Sequence, residues 1–308
     1  MLLGSHVGMS GSDMLLGSAK QAVAYGADTF MFYTGAPQNT KRKDINALHI
    51  DEAWEYLHAH GIKDIFVHAP YIINLGNSLK PETFSFGVDV LNSELARTIA
   101  CKSHLLILHP GAHVGAGTDI GIQQVIHGLN EVLTADTSCL IALETMSGKG
   151  SELGCTFEEL AHIYDGVIHN EKLRICFDTC HVNDSGYDIV HDFDGVIEQF
   201  DHFIGKDQIA IFHINDSKNG IGASKDRHAN IGFGEIGFEA LSYIVHHNDF
   251  ENIPKILETP FISSSTYEKK SYPPYLREME MLRNNHFNPD IQKLILSDYE
   301  SSFSLDIS

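Results

Sequence analysis

Short apolar runs that end abruptly in a polar or ionisable residue recur along the chain. Each is followed by a longer stretch whose apolar positions have helical spacing. The runs fall at 2–6, 29–33, 65–68, 105–109, 140–144, 174–178, 209–213 and 255–258. Between them, 13–25, 50–60, 88–102, 120–133, 156–166, 192–205 and 237–248 read as helices, and 274–284 follows the last run. Continuous apolar strands alternating with helices belong to a parallel sheet covered on both faces. Eight such units in the first 290 residues predict a (β/α)8 TIM barrel. A doubly wound open sheet is the competing α/β architecture. No linker, repeat of low complexity or charge block divides the chain, so residues 1–290 read as a single barrel domain. Residues 291–308 read as a partly disordered C-terminal tail, its polar, acidic end from 297 onward expected to fray.

The residue closing each run carries the chemistry. From the third run onward these are His68, His109, Glu144, Asp178, His213 and Glu258. In a parallel barrel the C-terminal ends of all strands share one rim, the face on which barrel enzymes keep their active sites. Three more ligand types lie just past strand ends: His181 in the expected loop after the sixth run, and Asp226 and His228 in the loop after the seventh. A lone His or Glu at a strand end is ordinarily solvated or hydrogen-bonded. Crowding this many at one rim desolvates each of them at high cost unless cations neutralise the set. His6 also closes a run and reads as a supporting residue. His104, His113, His162 and His191 lack such placement, and His246 and His247 read as surface residues.

Five imidazoles and four carboxylates suit about three ions, since a catalytic zinc takes three protein groups and an open position. With nitrogen and oxygen donors and no thiolate, zinc is favoured, and manganese or iron remain compatible. In CFDTCHVNDSGYD (176–188), Asp178 on a strand and His181 on a loop can serve neighbouring ions. Ions held about 3.5–4 Å apart suit hydrolysis of a phosphate ester.

Composition changes this picture in one respect. The chain has 308 residues, 43% of them hydrophobic, with 19 histidines and a net charge of −20. So acidic a chain lacks the broad basic surface of a charge-driven nucleic-acid binder. Three dications against four carboxylates leave +6 − 4 = +2 locally, however, so the bowl itself attracts phosphate. Five scattered cysteines and an N-terminus without a basic, then apolar leader point to reduced thiols in a cytoplasmic setting. No apolar stretch approaches the length of a membrane span.

Six stretches carry a resemblance: HAPYIINL (68–75), LHPGAHVGAG (108–117), ALETMSGKGSELG (142–154), CFDTCHVNDSGYD, FHINDSKNGIGASKDRHANIGFGEIG (212–237) and ILETP (256–260). In this order they resemble the endonuclease IV family of zinc-dependent apurinic/apyrimidinic endonucleases, over residues 1–290. The resemblance implies a TIM barrel with three zinc ions. His68 and His109 would hold the first, with Glu144 bridging to the second. Asp178, His213 and Glu258 would complete the second, and His181, Asp226 and His228 the third. Glu258, Glu144 and Asp178 are then the catalytic candidates. The implied reaction is base-excision repair of double-stranded DNA. It cleaves the phosphodiester 5′ to an abasic site, leaving a 3′-hydroxyl and a 5′-deoxyribose phosphate, and it trims blocked 3′ ends.

For DNA contacts the resemblance offers Tyr71 as a penetrating aromatic. In the basic loop TGAPQNTKRK (34–43) it offers Gln38, Asn39 and Arg42, the last as a candidate wedge. Lys218, Lys225 and Arg227 are candidate phosphate contacts. The glycine-rich stretches lack P-loop spacing and imply tight turns and close approach of DNA. Cys176 and Cys180 read as packing residues. A monomer fits a protein that wraps a duplex. Two other readings compete. A sugar isomerase or epimerase with one or two ions would leave His181, Asp226 and His228 idle. A non-enzymatic DNA-binding protein is opposed by the net charge.

Overall fold

The computed structural model describes residues 1–264 and 266–305. All eight apolar runs form strands: β1 (Leu2–His6), β2 (Thr29–Phe32), β3 (Phe66–His68), β4 (Leu105–Leu108), β5 (Leu140–Glu144), β6 (Leu173–Asp178), β7 (Ile209–His213) and β8 (Pro254–Leu257). Each pairs in parallel with its neighbours in sequence, and β8 closes on β1, with Leu2 opposite Pro254 and Ser5 opposite Leu257. The sheet is therefore a closed TIM barrel and not an open doubly wound one. Around it run α1 (Met14–Ala24), α2 (Ile50–Ala59), α3 (Pro81–Ala100), α4 (Thr118–Val132), α5 (Phe157–Gly166), α6 (Thr179–Ser185), α7 (Phe193–Phe203), α8 (Phe238–Val245), α9 (Tyr275–Arg283) and α10 (Ile291–Leu305). No helix among the described residues is long and apolar enough to cross a membrane.

Three elements differ from the sequence expectation. Helix α3 starts at Pro81 and not at 88, because proline suits the first helical position, where its missing N–H would have no partner anyway. Helix α6 replaces the expected loop after β6. The Asp178 carboxylate caps it by accepting from the His181 amide at 2.8 Å, and Gly186 ends it at φ 116°. The expected tail forms α10 as far as Leu305, and residues 306–308 lie outside the described residues. Its one-turn spacing buries Ile291 and Ile295 and stacks Tyr299 on Tyr272, while Asp298 pairs with Arg277 at 2.6 Å.

Strand alternation sorts the core into two layers. Outward residues such as Phe30, Val67, Leu106, Leu143, Phe177, Phe212 and Leu257 pack under the helices in one large cluster. Inward residues form a separate floor inside the barrel: Met31, Phe66, Leu105, Ile107, Ala142, Cys176, Ile211 and Ile256. Because side chains repeat face every second residue, the next inward position lies about 6.6 Å further up each strand direction. Those positions are His68, His109, Glu144, Asp178, His213 and Glu258. The apolar floor thus carries the ionisable ring directly above it.

Candidate metal centre

The ring closes on Glu144, which is fully buried. Its Oε2 lies 3.1 Å from Nε2 of both His68 and His109, and its Oε1 lies 3.1 Å from Nδ1 of His213. The same His213 nitrogen is 3.1 Å from Glu258 Oε2 and 3.7 Å from Asp178 Oδ2. On the β7 side, Asp226 Oδ1 stands 3.1 Å from His181 Nε2 and 3.5 Å from His228 Nε2. Ligand atoms within 4.8 Å of one another form the sets His68–His109–Glu144, Glu144–Asp178–His213–Glu258, Asp178–His181–His228 and, with a sulfur, Glu144–Cys176–His213. All nine sequence candidates therefore meet on one rim.

Hydrogen bonds decide which imidazole nitrogens point inward. A carbonyl oxygen only accepts, so a ring nitrogen facing one must carry the proton. Nδ1 of His68 donates to the Ala69 carbonyl at 2.7 Å, Nδ1 of His181 to Thr145 at 2.9 Å, and Nδ1 of His228 to Glu258 at 3.3 Å. In each neutral ring, Nε2 is then left with a lone pair aimed at the carboxylates. The buried Nε2 atoms of His181 and His228 make no hydrogen bond, and neither does that of His213, whose Nδ1 faces the carboxylates. A backbone carbonyl fixing one ring nitrogen while the other faces acidic oxygens is the arrangement of metal-ligating histidines. The spacing agrees. Zinc bonds of about 2.0–2.1 Å put tetrahedral neighbours about 3.3 Å apart, close to the contacts just given. The donor set fits divalent cations.

Electrostatics give the same answer from another direction. Burial alone would raise the Glu144 carboxyl, but His213 and His109 outweigh it and hold the group well below the usual range. Glu258 is likewise held down against burial, chiefly by His213. Burial would lower His181 and His213, yet Asp178 and Asp226 raise the first, and Cys176, Glu258 and Glu144 raise the second. Asp178 is pushed up by burial despite its histidine neighbours. Without cations, these acids draw protons onto the imidazoles; a cation would occupy the same field in their place. Burial lifts the Cys176 thiol to about 12, and all five cysteines are free.

Several functional neighbours escaped the sequence reading. Asn215 donates to Asp178 Oδ2 at 2.7 Å and accepts from the Glu258 amide at 2.9 Å, locking two carboxylates together. Thr145 accepts from the Asp178 amide through its hydroxyl while its carbonyl orients His181. Tyr33, closing the second apolar run, meets His6 edge-on and lies tilted against His68, with ring centroids at 5.3 and 4.9 Å. Strand parity would have flagged Tyr33; nothing in the spacing marks Asn215 or Thr145.

The candidate DNA contacts divide. Tyr71 is 55% exposed beyond β3, and Gln38, Lys218, Lys225 and Arg227 are exposed on loops of the same rim. Arg42 departs from expectation. Its guanidinium folds inward, pairs with buried Glu94 at 2.7 Å, and donates to the Thr34 hydroxyl at 3.0 Å and the Asn39 carbonyl at 2.9 Å. A charge so committed anchors its loop. Asn39 is part of that anchorage, its side chain accepting from the Lys41 amide. The glycine stretches do make tight approaches. Gly111 sits at φ 114°, where a Cβ would strike the Asn74 side chain, itself bonded to the Ala112 amide.

Barrel and ring together define a class: residues 19–285 match the model of the xylose isomerase-like TIM-barrel family. Solved structures share the architecture. Endonuclease IV from Thermus thermophilus superposes with TM-score 0.78 at 24% identity, over 92% of this chain and 98% of that one. A D-tagatose 3-epimerase-like protein superposes with TM-score 0.67 at 17% identity, over 97% and 99%. At such identities the likeness concerns the fold alone. Sequence is more specific. A probable endonuclease 4 of Lachnoclostridium phytofermentans is 65% identical over 95% of this chain and 98% of its own length. One from Lysinibacillus sphaericus is 60% identical over 94% and 98%. The chain belongs to the endonuclease 4 family.

Proposed function

We propose that this protein is a metal-dependent DNA-repair endonuclease that hydrolyses the phosphodiester 5′ to abasic sites in duplex DNA and trims blocked 3′ ends, using three zinc ions. The observation that carries the reading is the convergence of nine nitrogen and oxygen ligands, three of whose imidazoles have a ring nitrogen fixed by a backbone carbonyl. His68, His109 and Glu144 would hold one ion, Glu144, Asp178, His213 and Glu258 a second, and His181, Asp226 and His228 a third. Bound there, such ions acidify a water and neutralise charge developing on a phosphodiester.

The chain's own groups support that chemistry. Glu144, reaching both His68 and His213 through separate oxygens, keeps two ligand sets in register. Asn215 prevents Asp178 and Glu258 from turning away. Tyr71, Gln38, Lys218 and Arg227, and Asn39 through its loop, would meet the duplex, with the exposed aromatic entering where a missing base leaves little stacking to break. The likeness to epimerases extends to the fold, but one or two ions would leave the His181–Asp226–His228 group without a task. The enzyme would act as a monomer in the compartment that holds the DNA.

The test is incision of a duplex bearing one abasic analogue, before and after chelation, with zinc counted by elemental analysis. Cleavage 5′ to the lesion, lost on chelation and tied to three ions per chain, is the expected result. Two ions or fewer together with epimerisation of a ketose would overturn the reading.

A further inference from the structure

The loop between β7 and α8 has a difficult task. It presents Asp226 and His228 without the support of a barrel strand, and its only regular structure is a two-residue ribbon, Asp216–Ser217 against His228–Ala229. It also contains two strained positions, Ser224 and Asp226, both left-handed at φ 52°. Non-glycine residues hold that conformation only where their surroundings impose it.

Asp184 imposes it. Its carbonyl accepts from the Ser224 amide at 2.8 Å, and its carboxylate accepts from the Asp226 amide at 3.1 Å, so the two left-handed residues are gripped from one point. The carboxylate is fully buried, and its other bonds also come from neutral donors: Ser217 Oγ at 2.6 Å, Asn183 Nδ2 at 3.1 Å and Asn219 Nδ2 at 3.3 Å. Burying a carboxylate among neutral donors is costly and needs a return elsewhere. Asp184 lies one turn after His181 on α6, which is itself capped by Asp178. One short helix therefore carries a ligand of the third set and clamps the backbone of the residue facing it, setting the 3.1 Å approach of His181 Nε2 to Asp226 Oδ1. Two further buried carboxylates hold the rest of the loop. Asp216 accepts the amides of Gly232, Gly234 and Ile236 at 2.9–3.0 Å. Glu278 joins Asn230 and Ile231 to Thr259, beside Glu258.

We propose that Asp184 is a positioning residue that pre-forms the third cation position by fixing Asp226 against His181. The inference rests on the three-ion reading above. An Asp184→Asn variant sets an amide N–H against two of the four donors, since each carboxylate oxygen takes two, with almost no change in shape. It should bind the third zinc about 100-fold more weakly, the upper end of the range for groups that orient metal ligands. After dialysis it should hold two ions where the wild type holds three, and added zinc should restore both the third ion and incision. Failure of added zinc to restore them would mark general misfolding and overturn the inference, as would three ions held with wild-type affinity. An Asn183→Ala/Asn219→Ala pair loosens the carboxylate without removing it and should give an intermediate loss; an unchanged affinity there also counts against it. A wild-type protein with fewer than three ions would instead overturn the functional reading itself.

Discussion

The two halves of the candidate metal centre are built differently. His68, Glu144, Asp178 and His213 lie on barrel strands, and His109 and Glu258 lie one residue beyond, so the hydrogen-bonded sheet fixes their directions. Asp226 and His228 lie on a loop of more than twenty residues and depend on Asp184, Asp216 and Glu278 for their place. A strand end needs little beyond its own register to aim a side chain. A loop needs a buried frame, and that frame is made of carboxylates that touch no imidazole of the centre.

Four measurements bear on this contrast. Glu144→Ala should have the largest effect, because it removes an oxygen from two ligand sets on the strand side. Incision of an abasic duplex should fall by roughly 10⁴-fold, with two ions lost from elemental analysis. A loss of one ion would break the idea of a shared strand-borne ligand. Next comes the β2 loop, fixed by one buried ion pair and carrying no cation ligand. Arg42→Ala strands Glu94 without its charge partner and should lower unfolding stability by about 3 kcal/mol in a denaturant titration, with the ion count unchanged. If incision collapses while stability holds, Arg42 acts on DNA after all.

His228→Ala tests the loop half alone: one ion lost and incision reduced about 100-fold, the first two ions staying bound. The smallest effect is that of pH. His181 and His213 are raised above 6.5 in the cation-free protein, and their imidazolium pairs stabilise it below that value and stop doing so as pH climbs through the raised values. Glu144 and Glu258 are depressed, so their contribution is present above about 4.5 and fades as pH falls through the lowered values. A cation displaces protons from both imidazoles, so zinc affinity should fall about tenfold per pH unit for each proton it displaces as the solution is acidified. Calorimetry of zinc binding at stepped pH values reads this directly. Affinity that ignores pH would mean that these imidazoles do not meet the ion.

Much of the fold was legible because a buried parallel strand is apolar throughout and stops where solvent begins. Each run ended at an ionisable residue, and parity placed six of them above the barrel floor. The short helix α6 was not legible: its seven residues are too few for a periodic signal, and its cap is the carboxylate already counted as a ligand. The anchorage of Arg42 was hidden for a related reason. A basic run on a loop looks solvated until the partner, Glu94, arrives from α3. The C-terminal helix was hidden because its polar face dominates its composition, while Ile291, Ile295 and the Tyr299–Tyr272 stack secure it.

The linear chain, then, determined the number of strand–helix units, the inward parity of the ligands and the chemistry available at the rim, since all three follow from local periodicity and residue type. Tertiary structure alone decided which imidazole nitrogen faces the carboxylates, which arginine is spent on an internal pair, and how Asp184 reaches Asp226. Apart from the His68–Ala69 bond, those outcomes depend on donors and acceptors tens of residues apart in sequence, and only closure of the barrel brings them within about 3 Å of one another.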